Sequence, residues 1–150
     1  MPDYYEYVTV GDTREFGERT VTKEEIVEFA EKYDPQPFHV DEEAASETIF
    51  GGLIASGWQT AAICMRLFVD NMADEAWVGA RGVDELRWIR PVRPGDTLSV
   101  EVEIVEKRPD ETNPGLGRVH TRLTAYNQDD EAVISWIGLG MVERREASNG

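Results

Sequence analysis

The stretch IASGWQTAAICMRLFVDNM, residues 54–72, decides the fold that the sequence predicts. Apolar side chains recur along it at helical spacing, which predicts one long helix over about this range. One apolar stripe of this helix consists of Ile54, Trp58, Ala61, Ala62, Met65, Phe68, Val69 and Met72. The stripe is widened towards the other side by Ile63, Cys64 and Leu67. A helix that is apolar over most of its circumference is a buried one, so we expect it at the centre of the domain.

In the second half of the chain the apolar residues instead alternate with polar ones. This period of two is clearest in Leu98–Val105 and Val119–Tyr126, and it predicts antiparallel strands with one face in the core. The segment Ile134–Val142 is apolar on both faces, which predicts a central strand. Arg93–Asp96 places Pro and Gly at the central positions of a type II turn. The pattern predicts an α+β architecture, a single domain over residues 1–150 with a curved sheet wrapped around the helix.

Upstream of the long helix, the sequence predicts a first helix over Val21–Tyr33. Thr22 and Glu25 have the spacing of a capping box at its start. Two prolines then disfavour helix for the residues before them, so we expect Asp34–Phe38 to be an extended, stiff loop. Asp41 opens a short helix with further carboxylates in its first turn, where the helix dipole favours them.

The composition excludes several classes of protein. Thirty Asp and Glu against fifteen Lys and Arg give a net charge of −15, and such an excess of acid repels nucleic acid. The single cysteine, Cys64, excludes a disulfide framework and a multi-cysteine zinc site. No apolar run approaches the roughly 20 residues of a membrane span. The N-terminus has neither the basic nor the apolar segment of a secretory signal, so we expect a cytoplasmic protein without a membrane partner.

The segment Tyr33–Asp41 is the densest in residues that can carry chemistry. It is stiffened by two prolines and holds the carboxylate of Asp34 and the imidazole of His39 five residues apart, near enough to reach one small molecule. Imidazole is the side chain whose ordinary pKa suits proton transfer near neutral pH, so the pair indicates general acid and base chemistry. Alternatively, His39 only fills a hydrogen-bonded position above the core.

A metal site that uses Asp34, His39 and Asp41 is the other chemical interpretation of this segment. It lacks a third strong ligand nearby, and the second histidine, His120, is on a predicted strand and faces away from its apolar neighbours. Neither H-x-H nor H-E-x-x-H occurs in the sequence, so we expect no metal ion.

Glycines flank the predicted start of the long helix, at Gly51, Gly52 and Gly57. The first turn of a helix has backbone N–H groups without partners inside the helix, and glycine lets a ligand come close to them. Such a position would hold a carbonyl oxygen that gains negative charge. The structural alternative is that Gly57 permits tight packing of helix on sheet, while Gly51 and Gly52 only form a turn.

These segments together resemble the MaoC-like, R-specific enoyl-CoA hydratase group of the hot dog fold. The resemblance rests on D-x-Q-P-x-H at residues 34–39 and on Ser56-Gly57, whose glycine follows the histidine by eighteen residues. The segment Leu86–Leu98 is also similar to the family, so the resemblance runs across nearly the whole chain.

The resemblance implies a hydro-lyase that adds or removes water across the C2–C3 double bond of an acyl thioester. The thioester carbonyl would bind at Gly57, beside Ser56, and Asp34 with His39 would hold the water. The sequence leaves open which of the two is the acid and which the base. The family needs no cofactor beyond the coenzyme A thioester that is its substrate.

Two residues of the matching loop, Gln36 and Pro37, would set the geometry of the pair. Gln36 stands where the family pattern has Asn, which lengthens that side chain. The chain also has Cys64 and Met65 where many members place a small hydroxyl near the aspartate.

The resemblance implies partners as well: an acyl-CoA or acyl-carrier-protein thioester, and a second copy joined edge to edge through the sheets, with higher oligomers built from such dimers. Arginine forks suit the phosphates of either carrier. Candidate phosphate ligands cluster at Arg81, Arg87, Arg90 and Arg93. Alternatively these arginines form a solvated sheet face and pair with Asp84 and Glu85.

Two other functions compete with the hydro-lyase. A hot dog thioesterase often places its carboxylate on or beside the long helix, but nothing acidic occurs between Glu47 and Asp70. A non-catalytic module that binds acyl thioesters would be expected to have lost Asp34 or His39, and both are present.

The acidic, lysine-poor composition predicts a protein adapted to concentrated salt; an ordinary acidic protein is the alternative. We expect the unfolding temperature to rise markedly between dilute buffer and 1 M KCl, because the net charge of −15 makes the folded chain repel itself. Salt screens this repulsion, and the Debye length falls to about 3 Å at 1 M. Thermal unfolding followed by circular dichroism across a KCl series measures this. An unfolding temperature that stays flat over the series would contradict the hypothesis.

Overall fold

A computed structural model describes residues 4–72 and 76–145, and in it one antiparallel sheet of five strands packs against a long helix. The strands are β1 (Thr13–Thr20), β2 (Trp77–Trp88), β3 (Thr97–Pro109), β4 (Leu116–Tyr126) and β5 (Ala132–Glu143). Their order across the sheet is β1-β3-β4-β5-β2, and neighbouring strands are antiparallel. The predicted α+β architecture is confirmed.

The helices lie between β1 and β2 in the chain, and a short 3-10 helix, Tyr5–Tyr7, precedes β1. They are α1 (Lys23–Tyr33), α2 (Pro37–Val40), α3 (Glu42–Ser46) and α4 (Gly57–Asn71). The predicted capping box of α1 is confirmed, because the Thr22 hydroxyl accepts from the Glu25 N–H and the Glu25 carboxylate accepts from the Thr22 N–H. Asp41 caps α3 as predicted, accepting from two N–H groups of its first turn.

The inward faces of β3 and β4 form much of the core, as their alternation predicts. The buried residues of these two faces are Leu98, Val100, Val102, Ile104, Val119, Thr121, Leu123 and Ala125. The predicted type II turn before β3 is also present. The Asp96 N–H donates to the Arg93 carbonyl at 3.0 Å, and Gly95 has a φ of +90°, which favours glycine.

The strand predicted to be central, β5, has both edges paired, with β4 on one side and β2 on the other. The middle of the sheet is β4, because β3 and β1 extend the sheet beyond it. Gly140 of β5 leaves room for the ring of Trp77, which lies 2.4 Å from the position of a Cβ built on that glycine. Gly140 therefore permits close packing of Trp77 on β5.

The central helix begins at Gly57, three residues later than predicted. Ser56 has a non-helical backbone, with φ −58° and ψ 137°, and the two residues before it are held by other segments: the Ile54 N–H donates to the Phe38 carbonyl and the Ala55 N–H to the Val92 carbonyl. Ser56 then caps the helix by accepting from the Trp58 N–H.

The apolar stripe predicted for the central helix is wrong in part. Its ends, Ile54 and Met72, are buried, and so are the residues that widen it, Ile63, Cys64 and Leu67, but other members are exposed. Trp58, Met65 and Val69 of that stripe are 58%, 45% and 54% exposed. The buried face instead consists of Gln59, Thr60, Ile63, Cys64 and Leu67. The donor groups of its polar members have acceptors, because the Gln59 amide N–H donates to the Glu25 carbonyl and the Thr60 hydroxyl to the Ser56 carbonyl.

The loop predicted over Asp34–Phe38 is shorter than expected, because Pro37 begins the helical turn α2. The first position of a helix tolerates proline, since its N–H would have no partner inside the helix anyway. His39 therefore lies on a short helix and not in an extended loop.

Apolar surface stays uncovered along β2 and the adjoining face of α4. β2 is an edge strand, and its Val78 and Val83 are about half exposed. A cavity of about 410 Å³ lies between this strand, β5 and α4, which contributes Met65, Phe68 and Val69. Among the helices of the described residues, none has the length and apolarity to span a membrane.

Candidate active site

Asp34 and His39 come together beside the N-terminus of α4. Asp34 caps the C-terminus of α1 and His39 lies on α2, so Pro35 between the helices and Pro37 at the start of α2 set the turn that joins them. Nε2 of His39 lies 3.3 Å from Oδ2 of Asp34. His39 is buried and only 16% of the Asp34 side chain is exposed, so the pair is largely shielded from solvent.

The hydrogen bond of the other ring nitrogen determines which tautomer His39 adopts. Its Nδ1 lies 2.7 Å from the carbonyl oxygen of Ile54. Because a carbonyl oxygen only accepts hydrogen bonds, Nδ1 carries the hydrogen. In the neutral imidazole the lone pair is therefore on Nε2, the nitrogen that faces Asp34.

The carboxylate of Asp34 is held by two donors. The Gln36 amide donates to Oδ1 and the Ser56 hydroxyl to Oδ2, each at 2.7 Å. These hydrogen bonds, from Gln36 first and Ser56 second, lower the pKa of Asp34 below its ordinary value, with His39 adding to the effect and burial opposing it. Asp34 is therefore ionised throughout the neutral range.

Ser56 and Gly57 join this carboxylate to the start of α4. Ser56 is fully buried, and its hydroxyl accepts from the Trp58 N–H while it donates to Asp34. In the part of the chain that the structure describes, nothing accepts from the N–H of Gly57. That N–H is therefore a free donor at the positive end of the helix dipole.

A cleft of about 470 Å³ contains Asp34, His39 and Gly57 in its lining. Trp88, Ile89 and Arg90, which end β2 and follow it, form another wall. The arrangement can place a small molecule against a carboxylate, an imidazole and a free backbone donor at once.

Of the four arginines proposed for phosphate binding, Arg90 lines this cleft, where it pairs with Glu131 at 3.4 Å. Arg93 donates to the Phe50 carbonyl at 2.6 Å and so ties down the loop before α4. Arg81 and Arg87 are exposed on β2, and Arg87 donates to the neighbouring Leu86 carbonyl.

The hydroxyl near the aspartate comes from Ser56 and not from the middle of α4. Cys64 is fully buried in the core, and burial raises the pKa of its thiol to about 12. Met65 lines the apolar cavity between α4 and β2. Neither residue takes the place of the family's small hydroxyl in this chain.

The residues considered for a metal site do not come together as a set of ligands in the structure. Asp41 uses its carboxylate to cap α3, and His120 pairs with Glu106 at 2.9 Å on the outer face of the sheet. Within residues 4–72 and 76–145, no three His, Cys, Asp or Glu side chains converge.

Sequence reasoning missed Trp88 and Thr60, which also line the cleft. Thr60 could not be found, because no local signal separates it from an exposed helix residue. Trp88 carries one signal, since a large aromatic residue ends a strand just before the Arg-Pro that leads to the predicted turn.

A sheet packed on one central helix, with a carboxylate and an imidazole at that helix's N-terminus, defines an α+β protein of the hot dog class. The chain belongs to the MaoC like domain family, whose model matches residues 7–127. The fold and family that the motifs indicate are thereby confirmed, and the family includes hydratases and dehydratases.

Similarity to individual proteins spans most of the chain. It is 37% identical over 128 residues to the uncharacterized protein YdeM of Bacillus subtilis, covering 84% of this chain and 89% of that one. It is 29% identical over 148 residues to 3-hydroxybutyryl-CoA dehydratase of Methylorubrum extorquens, covering 97% and 88%. The solved structure of a MaoC-like dehydratase from Rhodospirillum rubrum matches with a TM-score of 0.87 at 41% identity, covering 95% and 97%.

Removal of the Ser56 hydroxyl should raise the pKa of Asp34, because the carboxylate loses a donor that stabilises its charged form. In the Ser56→Ala variant, we expect Asp34 to become protonated at a higher pH than in the parent. The ¹³C chemical shift of the Asp34 carboxyl carbon during a pH titration measures this. Thr60→Val is the control. It removes a neighbouring hydroxyl that donates to the Ser56 carbonyl and not to Asp34, so the pH at which Asp34 is protonated should stay the same. An unchanged Asp34 titration in Ser56→Ala would show that this hydrogen bond does not control the carboxylate.

Proposed function

We propose that the protein is a hydro-lyase that adds water to, or removes it from, the C2–C3 double bond of an acyl thioester. The observation that carries this proposal is the arrangement of two proton acceptors, the Asp34 carboxylate and Nε2 of His39, 3.3 Å apart next to the free N–H of Gly57. The 3-hydroxybutyryl-CoA dehydratase of Methylorubrum extorquens, similar over 97% of the chain, supports the same class of reaction.

The water molecule would lie between Asp34 and His39 and donate one hydrogen to each. Its remaining lone pair would then point at C3 of the bound enoyl thioester. As the oxygen–C3 bond forms, one proton leaves the water, and the electrons of the double bond move towards the thioester carbonyl. C2 then takes a proton, so that the product is the substrate plus one water.

The charge that collects on the thioester oxygen needs a donor, and the N–H of Gly57 supplies one at the positive end of α4. A fixed donor in a shielded site stabilises the enolate more than it stabilises the neutral carbonyl. The carboxylate of Asp34, which would orient the water, and the N–H that would hold the carbonyl are thereby joined through Ser56, which donates to Asp34 and caps α4.

The hydrogen bonds on Asp34 suggest how the two roles divide. Gln36 and Ser56 stabilise its charged form, which makes the carboxylate a poor base. We assign the proton transfer to His39, whose Nε2 takes a proton from water and returns one to C2. Asp34 would orient the water and stabilise the imidazolium that forms in between.

The carrier of the acyl group would be coenzyme A or the equivalent arm of a carrier protein, and no separate cofactor takes part. Arg90 supports this, because it lines the cleft and its side chain is 54% exposed. A guanidinium binds phosphate through two parallel hydrogen bonds. In a chain of net charge −15, such a local cation would offset the repulsion of an anionic carrier.

The proposal is tested by Asp34→Asn and His39→Ala in an assay of the ultraviolet absorbance of a short 2-enoyl-CoA. Each variant should hydrate it more slowly by on the order of 10² or more, as expected for loss of a positioned acid or base. The double variant should be little worse than the worse single, because both groups act on one water. Binding of the saturated acyl-CoA, measured by calorimetry, should survive.

Matched controls come from the same residue types elsewhere. Asp41→Asn keeps the cap of α3, and His120→Ala acts on the outer face of the sheet, so both should hydrate at the parental rate. Parental rates in Asp34→Asn and His39→Ala would make the pair structural. A parent that binds the thioester without converting it would favour the non-catalytic binding module.

We also propose that the working unit is a homodimer joined along β2. This strand is an edge of the sheet, most of its residues are exposed, and unpaired edges of this kind readily pair with another chain. The cavity of about 410 Å³ beside it has an almost wholly apolar lining. Pairing of two copies would cover the edge and this apolar surface together.

Light scattering in molar KCl tests the dimer. At micromolar concentration the parent should be a dimer or a higher oligomer made of such dimers. Val83→Arg should shift the protein to monomers, because it places a charge on β2. Ile49→Arg is the matched control, because Ile49 is 97% exposed and lies outside the sheet, and it should not change the mass. A monomeric parent would contradict the proposal.

A further inference from the structure

The indole of Trp88 lies directly against the first residue of α4. A Cβ built on Gly57 would lie 2.4 Å from both Nε1 and Cε2 of Trp88 and 2.8 Å from Cδ1. The nitrogen-bearing edge of the indole therefore occupies the space that a side chain at position 57 would need. Gly57 thus has two reasons to lack a side chain: the exposure of its N–H and the approach of this ring.

The indole nitrogen of Trp88 is therefore close to the backbone of Gly57, and two N–H groups at this place have no acceptor in the described part of the chain. One is the backbone N–H of Gly57 and the other is the indole N–H of Trp88. The contrast with Trp77 is informative, because the indole of Trp77 donates to the Met72 carbonyl at 3.1 Å. Trp88 is 46% exposed and lines the cleft that contains Asp34 and His39.

The position of this indole is fixed from two sides. The ring of Trp58 packs edge-to-face on it, with centroids 5.0 Å apart and an interplanar angle of 83°. The backbone of Trp88 pairs with Ile134 of β5 at the end of β2. A donor held in this way needs little reorganisation when charge develops nearby.

We propose that the Trp88 indole N–H is a second hydrogen-bond donor to the thioester carbonyl, together with the N–H of Gly57. This inference rests on the proposed function and adds a catalytic residue to it. No covalent bond changes at Trp88. The indole donates to the carbonyl oxygen while the electrons of the C2–C3 double bond move onto it, and releases the oxygen when C2 is protonated.

A donor of this kind acts on the transition state more than on the bound substrate, since the oxygen is most negative in the enolate. Its loss should therefore lower kcat while KM changes little. A residue that only packed against α4 would instead alter substrate binding or stability, and would not change the polarisation of the carbonyl.

The experiment removes the indole N–H in two ways. Trp88→Phe keeps an aromatic ring, and replacement of Trp88 by 3-benzothienylalanine keeps the size and shape of the indole while sulfur takes the place of the N–H. We expect each to lower kcat for a short 2-enoyl-CoA by on the order of 10², the usual loss for one donor to an oxyanion. The isosteric variant keeps the test valid if Trp88→Phe unfolds, which circular dichroism would reveal.

The second readout is the carbonyl stretching frequency of bound butyryl-CoA, a saturated thioester labelled with ¹³C at its carbonyl. In the parent the band should lie at lower frequency than in solution, because two donors polarise the bond. Both Trp88 variants should move it to higher frequency. The same 3-benzothienylalanine replacement at Trp77, whose indole N–H donates to the Met72 carbonyl away from this cleft, should leave the frequency at the parental value.

The outcomes separate the two proposals. Parental turnover and an unchanged carbonyl band in the Trp88 variants would overturn this inference and leave the hydro-lyase standing. Slow turnover in Trp88→Phe alone, with the isosteric variant as fast as the parent, would overturn it too, because ring shape and not the N–H would matter. A parent that does not hydrate the thioester would overturn the proposed function, and this inference with it.

Discussion

The hydroxyl group of Ser56 makes the connection on which the candidate site depends. It caps α4 by accepting from the Trp58 N–H, and it donates to the carboxylate of Asp34 at the end of α1. Because the side chain is fully buried, neither bond can be exchanged for one to solvent without opening the core. The start of the central helix and the position of the carboxylate are thus set by a single group.

The start of α4 at Gly57 also explains how the imidazole of His39 can be buried. His39 is buried because the Ile54 carbonyl accepts from its Nδ1, and that carbonyl is available because Ile54 lies before the helix and not in it. A helix begun at Ile54, as its apolar spacing suggests, would use the same carbonyl for an internal bond. The late start of α4 is therefore a requirement of the site.

Much of the fold could be predicted because its signals are local. The capping box at Thr22, the turn at Gly95 and the alternation along β3 each depend on residues a few positions apart. The proximity of Asp34 and His39 could be predicted in the same way, because the prolines around them indicate a stiff connection.

The rest depends on contacts between distant segments. The buried face of α4 could not be read from apolarity, because Gln59 is buried by its bond to the Glu25 carbonyl while Met65 is left exposed. β1 escaped prediction because half of its sequence, TREFGERT, is charged, and the strand is stabilised by its pairing with β3. Trp88 was missed because its relevance comes from its contact with Gly57, thirty-one residues earlier in the chain.

The location of Trp88 at the last position of an edge strand has a consequence for how the protein responds to dilution. A residue on such a strand keeps its place only as well as the strand does, and a strand with one open edge frays more readily than one paired on both sides. If two copies close that edge, the indole is steadied by assembly. Specific activity per chain would then fall when the protein is diluted below the concentration at which the two copies separate. Activity would thus depend on the concentration of the protein itself.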